Sequence, residues 1–91
     1  SKPTMKIHIA FNGAGGRMGQ RLVALAKEDH DLTIVAALDA PGSPLLGRDA
    51  GEVAGVGHVG VPITAELAFD PKPDCLIDFS EAHEVPANFA A

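Results

Sequence analysis

The chain has 91 residues, 46% of them hydrophobic, a formal net charge of −5 and a single cysteine. That length allows one small domain. The acidic balance, with no basic stripe and neither Trp nor Tyr, excludes the electrostatic footprint of a nucleic-acid binder. No apolar run approaches the roughly 18 residues that span a bilayer, the N-terminus lacks a signal-peptide apolar region, and lone Cys75 fits a reducing cytoplasm. The expectation is a cytoplasmic protein with no membrane and no nucleic-acid partner. Residues 1–5 read as an extension or a non-native remnant, and residues 6–91 as the domain.

Ile7 to Phe11 reads as a buried parallel strand. It runs directly into Gly13, Gly15, Gly16 and Gly19, with a helix beginning at Arg17. Met18, Leu22, Leu25 and Ala26 lay an apolar stripe on that helix, predicted to face the core, with Arg21, Lys27 and Glu28 off it. Leu32 to Leu38 is a second strand, and the helix supplies the crossover that parallel neighbours require. Pro41 to Gly60 reads mainly as loop, anchored by Leu45 and Leu46. Val61 to Thr64 reads as a short third strand and Ala65 to Phe69 as one or two helical turns. Pro71-Lys72-Pro73 then leads into a fourth strand, Cys75 to Phe79. Ser80 is a candidate N-cap for a last helix burying Ala82, Val85 and Phe89. Helix–strand alternation demands a further strand after Ala91. The chain therefore reads as the front piece of a larger α/β protein: a Rossmann-type, doubly wound, mostly parallel sheet truncated to its first four or so strands.

The glycines carry the chemistry. Gly13, Gly16 and Gly19 are spaced one residue wider than the usual G-x-G-x-x-G turn. Without a Cβ the chain turns sharply and approaches a pyrophosphate closely, while the unpaired N–H groups and dipole of the helix start attract the anion. Gly13, Ala14, Gly15, Gly16 and the backbone of Met18 thus form a candidate cofactor turn, the Met18 side chain being expected in the core. Two roles fit Arg17: reaching the pyrophosphate or adenosine end of a dinucleotide, or a solvated surface position. Asp39 ends the second strand, twenty residues beyond Gly19. There it can accept hydrogen bonds from both adenosine ribose hydroxyls and repel a 2′-phosphate; the plainer alternative is a loop-starting Asp. Ala40 offers no cation to a 2′-phosphate, so NADH is favoured over NADPH. Phe79 and Ser80, ending the fourth strand, border the nicotinamide half of the cofactor. Asp78 reads as a carboxylate bonding nearby amides rather than as a general base. His8, His30, His58 and His83 have no metal-ligand spacing, so no metal site is expected.

Gly13-Ala14-Gly15-Gly16-Arg17-Met18-Gly19, Leu38-Asp39, Leu45-Leu46-Gly47-Arg48-Asp49-Ala50-Gly51-Glu52-Val53-Ala54-Gly55 and Ile77-Asp78-Phe79-Ser80 strongly resemble, in order, the N-terminal half of bacterial dihydrodipicolinate (4-hydroxy-tetrahydrodipicolinate) reductases. The resemblance implies a Rossmann-type domain, a nicotinamide cofactor, and hydride reduction of a cyclic imine-type substrate in lysine and diaminopimelate biosynthesis. Gly13 to Met18 match the family's cofactor turn and Asp39 its acidic ribose residue. Many members carry Arg after that acid where this chain has Ala40, and Asp-Phe-Thr where it has Asp78-Phe79-Ser80. The family's Gly-Thr-Thr loop, His-His-Lys catalytic and substrate segment and tetramer-forming sheet would lie beyond Ala91. The resemblance thus implies a homotetrameric full-length enzyme, no catalytic residue within this chain, and no activity for the 91 residues alone. Another small-substrate NAD(P) dehydrogenase and a noncatalytic nucleotide-binding module are the alternative readings.

Overall fold

A computed structural model describes residues 6–67 and 72–79. Its elements are β1 (Ile7–Asn12), α1 (Arg17–Glu28), β2 (Leu32–Leu38), α2 (Ala50–Val53), β3 (Ile63–Thr64) and β4 (Cys75–Asp78). The strands form one sheet in the order β3-β2-β1-β4, and every pairing is parallel. This is the expected Rossmann-like α/β architecture. The chain steps outward from β1 through β2 to β3, then returns to place β4 on the other side of β1. The carboxyl end of β1 is therefore a topological switch point, where such sheets open a crevice for ligands.

The apolar runs of β1 and β2 pair from Ile7↔Leu32 to Asn12↔Leu38, with one register shift between Ile9 and Ala10. Phe11, Val23 and Ile63 are the largest fully buried side chains; burying Phe11 contributes roughly 1.5–3 kcal/mol. Ala10, Ala14, Ala26, Ala37 and Ala50 supply half of the buried apolar residues. The elements consequently pack with their backbones close together, leaving little space for larger side chains. Leu45 and Leu46 pack against this core as expected.

The face of α1 differs from the predicted stripe. Met18 and Leu25 are 49% and 63% exposed, while Gly19, Val23 and Ala26 form the buried face and Leu22 is half-buried. Both sets have helical spacing, so periodicity alone does not choose between them. The choice is made by contact with the glycine turn. A Cβ on Gly19 would collide with the Gly13 carbonyl oxygen and lie 2.8 Å from the Ala14 Cα. Only a glycine lets the helix sit this close to the turn, and seating Gly19 there rotates Met18 outward.

Further differences lie in the second half. The loop after β2 contains α2, and β3 and β4 are each shorter than predicted. Ala65 to Leu67 are not helical; the Thr64 hydroxyl donates to the Glu66 carbonyl at 3.1 Å, a local turn bond that competes with helix formation. Residues 1–5, Ala68 to Pro71, and Ser80 onward, with the expected helix of Ala82, Val85 and Phe89 and with His83, lie outside the described residues.

Candidate functional site

The site is built where β1, β2 and β4 end. Gly13 leaves β1 at φ +90°, a conformation that side-chain-bearing residues rarely adopt. Its N–H and that of Ala14 both donate to the Leu38 carbonyl, at 2.8 and 2.9 Å, so the turn is pinned to the last residue of β2. The Gly16 amide donates back to the Gly13 carbonyl at 3.1 Å, closing the turn. Gly16 is the N-cap of α1; no side chain caps the helix, and its first turn holds no acidic residue. The first-turn amides and the positive end of the helix dipole thus remain for an external anion. Gln20 Nε2 donates to the Gly15 carbonyl at 2.8 Å and braces the turn from within the helix.

Asp39 follows β2 directly, and its amide donates to Thr64 at 2.9 Å, joining it to β3. Its Oδ1 accepts from the Ala40 amide at 3.0 Å and its Oδ2 from the Ser43 hydroxyl at 2.9 Å. A Cβ on Gly15 would collide with that Oδ2. Gly15 and Asp39, far apart in the chain, are therefore in contact, and a side chain at 15 would push the Asp39 carboxylate and Leu45 out of this arrangement. On the other flank the Phe79 amide donates to the Asn12 carbonyl at 2.7 Å, and half-buried Phe79 packs against the core. Arg17 and Met18 are both exposed at the helix start. The buried position expected for the Met18 side chain is thus corrected, and Arg17 lines an open groove of about 380 Å³ with Gln20, Arg21, Ala24 and Ala54. Ser80 lies outside the described residues.

This donor set fits a dinucleotide. Uncapped helix amides and a Cβ-free turn suit a pyrophosphate, and a carboxylate at the end of the neighbouring strand suits a ribose diol.

A second cluster, missed by sequence reasoning, lies in the loop after β2. Asp49 caps α2. Its Oδ2 accepts from the amides of Gly51, Glu52 and Val59 at 3.0, 3.1 and 2.9 Å, and its Oδ1 from Gly60 and Val61 at 2.7 and 3.0 Å. Desolvation pushes its pKa up, but the amides of Val59, Glu52, Val61 and Gly60 outweigh that and hold it at about 2. Gly51 is required as well, since a Cβ there would collide with the Gly57 carbonyl oxygen and lie 2.6 Å from Val59. At the helix end Gly55 adopts φ +80°, its amide bonds Glu52 and that of Val56 bonds Gly51, which is the Schellman pattern. The Asp-Ala-Gly-Glu motif is thus a device for folding a loop. Its signal in the sequence was an acidic N-cap with Glu three residues on.

His58 Nδ1 stands 3.0 Å from Glu52 Oε2 and 3.5 Å from Asp49 Oδ1. The three residues border an open groove of about 450 Å³ with Gly47, Arg48, Gly60 and Pro62. Among the described residues they are the one group whose ligand atoms lie close enough to share a cation. Both oxygens of Asp49 already receive backbone N–H groups, however, which marks its carboxylate as structural.

Comparison with known proteins agrees with the geometry. The profile of the family described as "Dihydrodipicolinate reductase, N-terminus" matches residues 7–91. The chain belongs to this family. Similar curated proteins include the 4-hydroxy-tetrahydrodipicolinate reductase of Methanothermobacter thermautotrophicus, 44% identical over 81 residues, which are 84% of this chain and 30% of that protein. The enzyme of that name from Methanocaldococcus jannaschii is 37% identical over 87 residues, covering 90% and 32%. That of Citrifermentans bemidjiense is 47% identical over 75 residues, covering 81% and 28%. The chain spans about three tenths of the length of these relatives. The matching family domain is a pyridine-nucleotide-binding one. Among the described residues no helix is long and apolar enough to cross a membrane.

Proposed function

We propose that this chain is the cofactor-binding portion of an NAD(P)H-dependent 4-hydroxy-tetrahydrodipicolinate reductase, acting on a cyclic imine-type substrate in lysine and diaminopimelate biosynthesis. The observation that carries the proposal is the contact of the Asp39 carboxylate with Gly15 at the switch point of the sheet. A carboxylate beside a glycine turn is the pairing that a ribose diol and a pyrophosphate would require, and it supports this reading. The backbone of Gly13, Ala14, Gly15, Gly16, Arg17 and Met18 holds the pyrophosphate, with the Arg17 side chain in reach of the same region. Asp39 holds the adenosine ribose, and Phe79 and Ser80 border the nicotinamide. The bound cofactor supplies hydride; the chain's own part is to bind it, orient it and fix the protein field around it. Substrate-holding residues and the homotetramer interface belong to segments of the full-length enzyme outside residues 6–91, and the enzyme works in the cytoplasm without nucleic-acid or membrane partners.

The choice between cofactors follows from Asp39, which bonds a ribose diol and repels a 2′-phosphate, with Ala40 supplying no compensating cation. NADH is therefore the preferred reductant. In the full-length protein, Asp39→Ala is expected to move the ratio of kcat/KM for NADH over NADPH toward NADPH by about tenfold, equivalent to ~1.4 kcal/mol. A ratio that does not move would assign the choice to another residue.

A further inference from the structure

Asp39 is held in its place by a neighbour to which nothing so far assigns a role. Ser43 Oγ accepts from the Leu45 amide at 3.1 Å. Its own proton is therefore directed to Asp39 Oδ2, 2.9 Å away. The Ser43 amide in turn bonds the Ala40 carbonyl at 3.0 Å, folding residues 40–43 into a turn around the carboxylate. Gly15 forms the opposite wall, and the Leu45 side chain crowds the same spot, 2.8 Å from where a Gly15 Cβ would stand. The carboxylate is thus fixed on three sides, by the Ala40 amide, the Ser43 hydroxyl and the backbone of Gly15.

A carboxylate offers about four lone-pair sites, two per oxygen. The Ala40 amide takes one on Oδ1 and the Ser43 hydroxyl one on Oδ2. Among the described residues no other group bonds either oxygen, and two acceptors side by side match two vicinal hydroxyls. We propose that Ser43 is a positioning residue for nucleotide selectivity: by latching Asp39 against Gly15 it presents both carboxylate oxygens to an adenosine ribose diol and keeps the negative charge where a 2′-phosphate would sit. This rests on the reading of Asp39 as the ribose carboxylate. Without the latch the side chain gains rotamer freedom, losing affinity for the diol and moving its charge away from the phosphate position.

The test measures dissociation constants of NADH and NADPH by calorimetry on the full-length protein. The variants are Ser43→Ala, Ser43→Gly, Ser43→Thr, Asp39→Ala and the Ser43→Ala/Asp39→Ala pair. Removing the hydroxyl, by alanine or by glycine, is expected to lower the preference for NADH about fivefold, a modest share of a charge-assisted hydrogen bond. Ser43→Thr, which keeps the hydroxyl, is expected to retain the wild-type preference. In the Asp39→Ala background Ser43→Ala is expected to change the preference no further; a merely structural role for Ser43 would not produce that dependence. An unchanged preference in Ser43→Ala and Ser43→Gly, with a lowered one in Asp39→Ala, would overturn the latch and leave the ribose reading standing. A raised preference in Ser43→Ala would show that the hydroxyl serves a 2′-phosphate instead, and would also overturn it. No change in Asp39→Ala would remove the ribose reading and the latch with it.

Discussion

Gly19→Ala is expected to destabilise the domain by ~3 kcal/mol, at the upper end of what overpacking costs, and to abolish tight dinucleotide binding. The added methyl meets backbone, the Gly13 carbonyl oxygen and the Ala14 Cα, rather than a side chain that can swing away. Relief requires α1 to move off the turn or the turn to move off β2. Either shift breaks the paired hydrogen bonds that Gly13 and Ala14 make to Leu38 and displaces the helix amides from the phosphate position. Gly42→Ala is the matched control, because nothing lies within 4 Å of its added methyl. Urea unfolding and NADH titration of the two full-length variants decide the matter. A Gly19→Ala protein with a wild-type unfolding midpoint and unchanged affinity would contradict the close packing described above.

Asp49→Ala is expected to be the most damaging change in the segment between β2 and β3. A four-residue helix has no stability of its own; α2 persists because one carboxylate gathers the amides at its start and those of Val59, Gly60 and Val61 at once. Removing it orphans five amides, where an ordinary N-cap loss orphans one or two. The expected result is a lowered thermal midpoint and loss of amide protection at Gly60 and Val61. Near-wild-type protection there would show that the loop is held by other contacts. The ionisation of Asp49 gives the same interaction a pH signature. Its folded-state pKa, about 2, lies below the ordinary 3.8, so its contribution is present above 3.8 and lost as pH falls toward 2. The stability difference between wild type and Asp49→Asn should therefore shrink across that window. A difference that stays constant on acidification would separate the bonds to Asp49 from its charge.

Much of the fold was legible because it rests on local pattern. The seven residues of β2 run exactly from Leu32 to Leu38 as expected, since a β-branched apolar run bounded by polar residues has few other uses. The start of α1 and the glycine turn before it were legible for the same reason. The buried face of α1 was not. Leu25 looks like core by hydrophobicity, yet position 19 decides the helix rotation through contact with backbone six residues earlier, and a glycine carries no hydrophobic signal. The loop after β2 hid α2 because Asp49 acts on residues up to twelve positions away, beyond any periodic window. In the candidate site the glycine turn and the Asp39 carboxylate could be named from the sequence, but the contact between Gly15 and Asp39 could not, for it depends on β1 and β2 ending at the same level of the sheet.

The placement of β4 beside β1 also orders the folding of the chain. Ile7 meets Leu32 across 25 residues, whereas Ile9 meets Cys75 across 66. Closing the longer loop costs about 0.9 kcal/mol more in chain entropy, and among the described residues β4 is an edge strand paired with β1 alone. The β1-α1-β2 unit is therefore expected to assemble first, bringing the glycine turn and Asp39 together early. β4, which leads into Phe79 on the other flank of the crevice, is then expected to dock last and to be the first strand to detach, which hydrogen exchange at Leu76 and Ile77 against Ala10 and Ala37 would check.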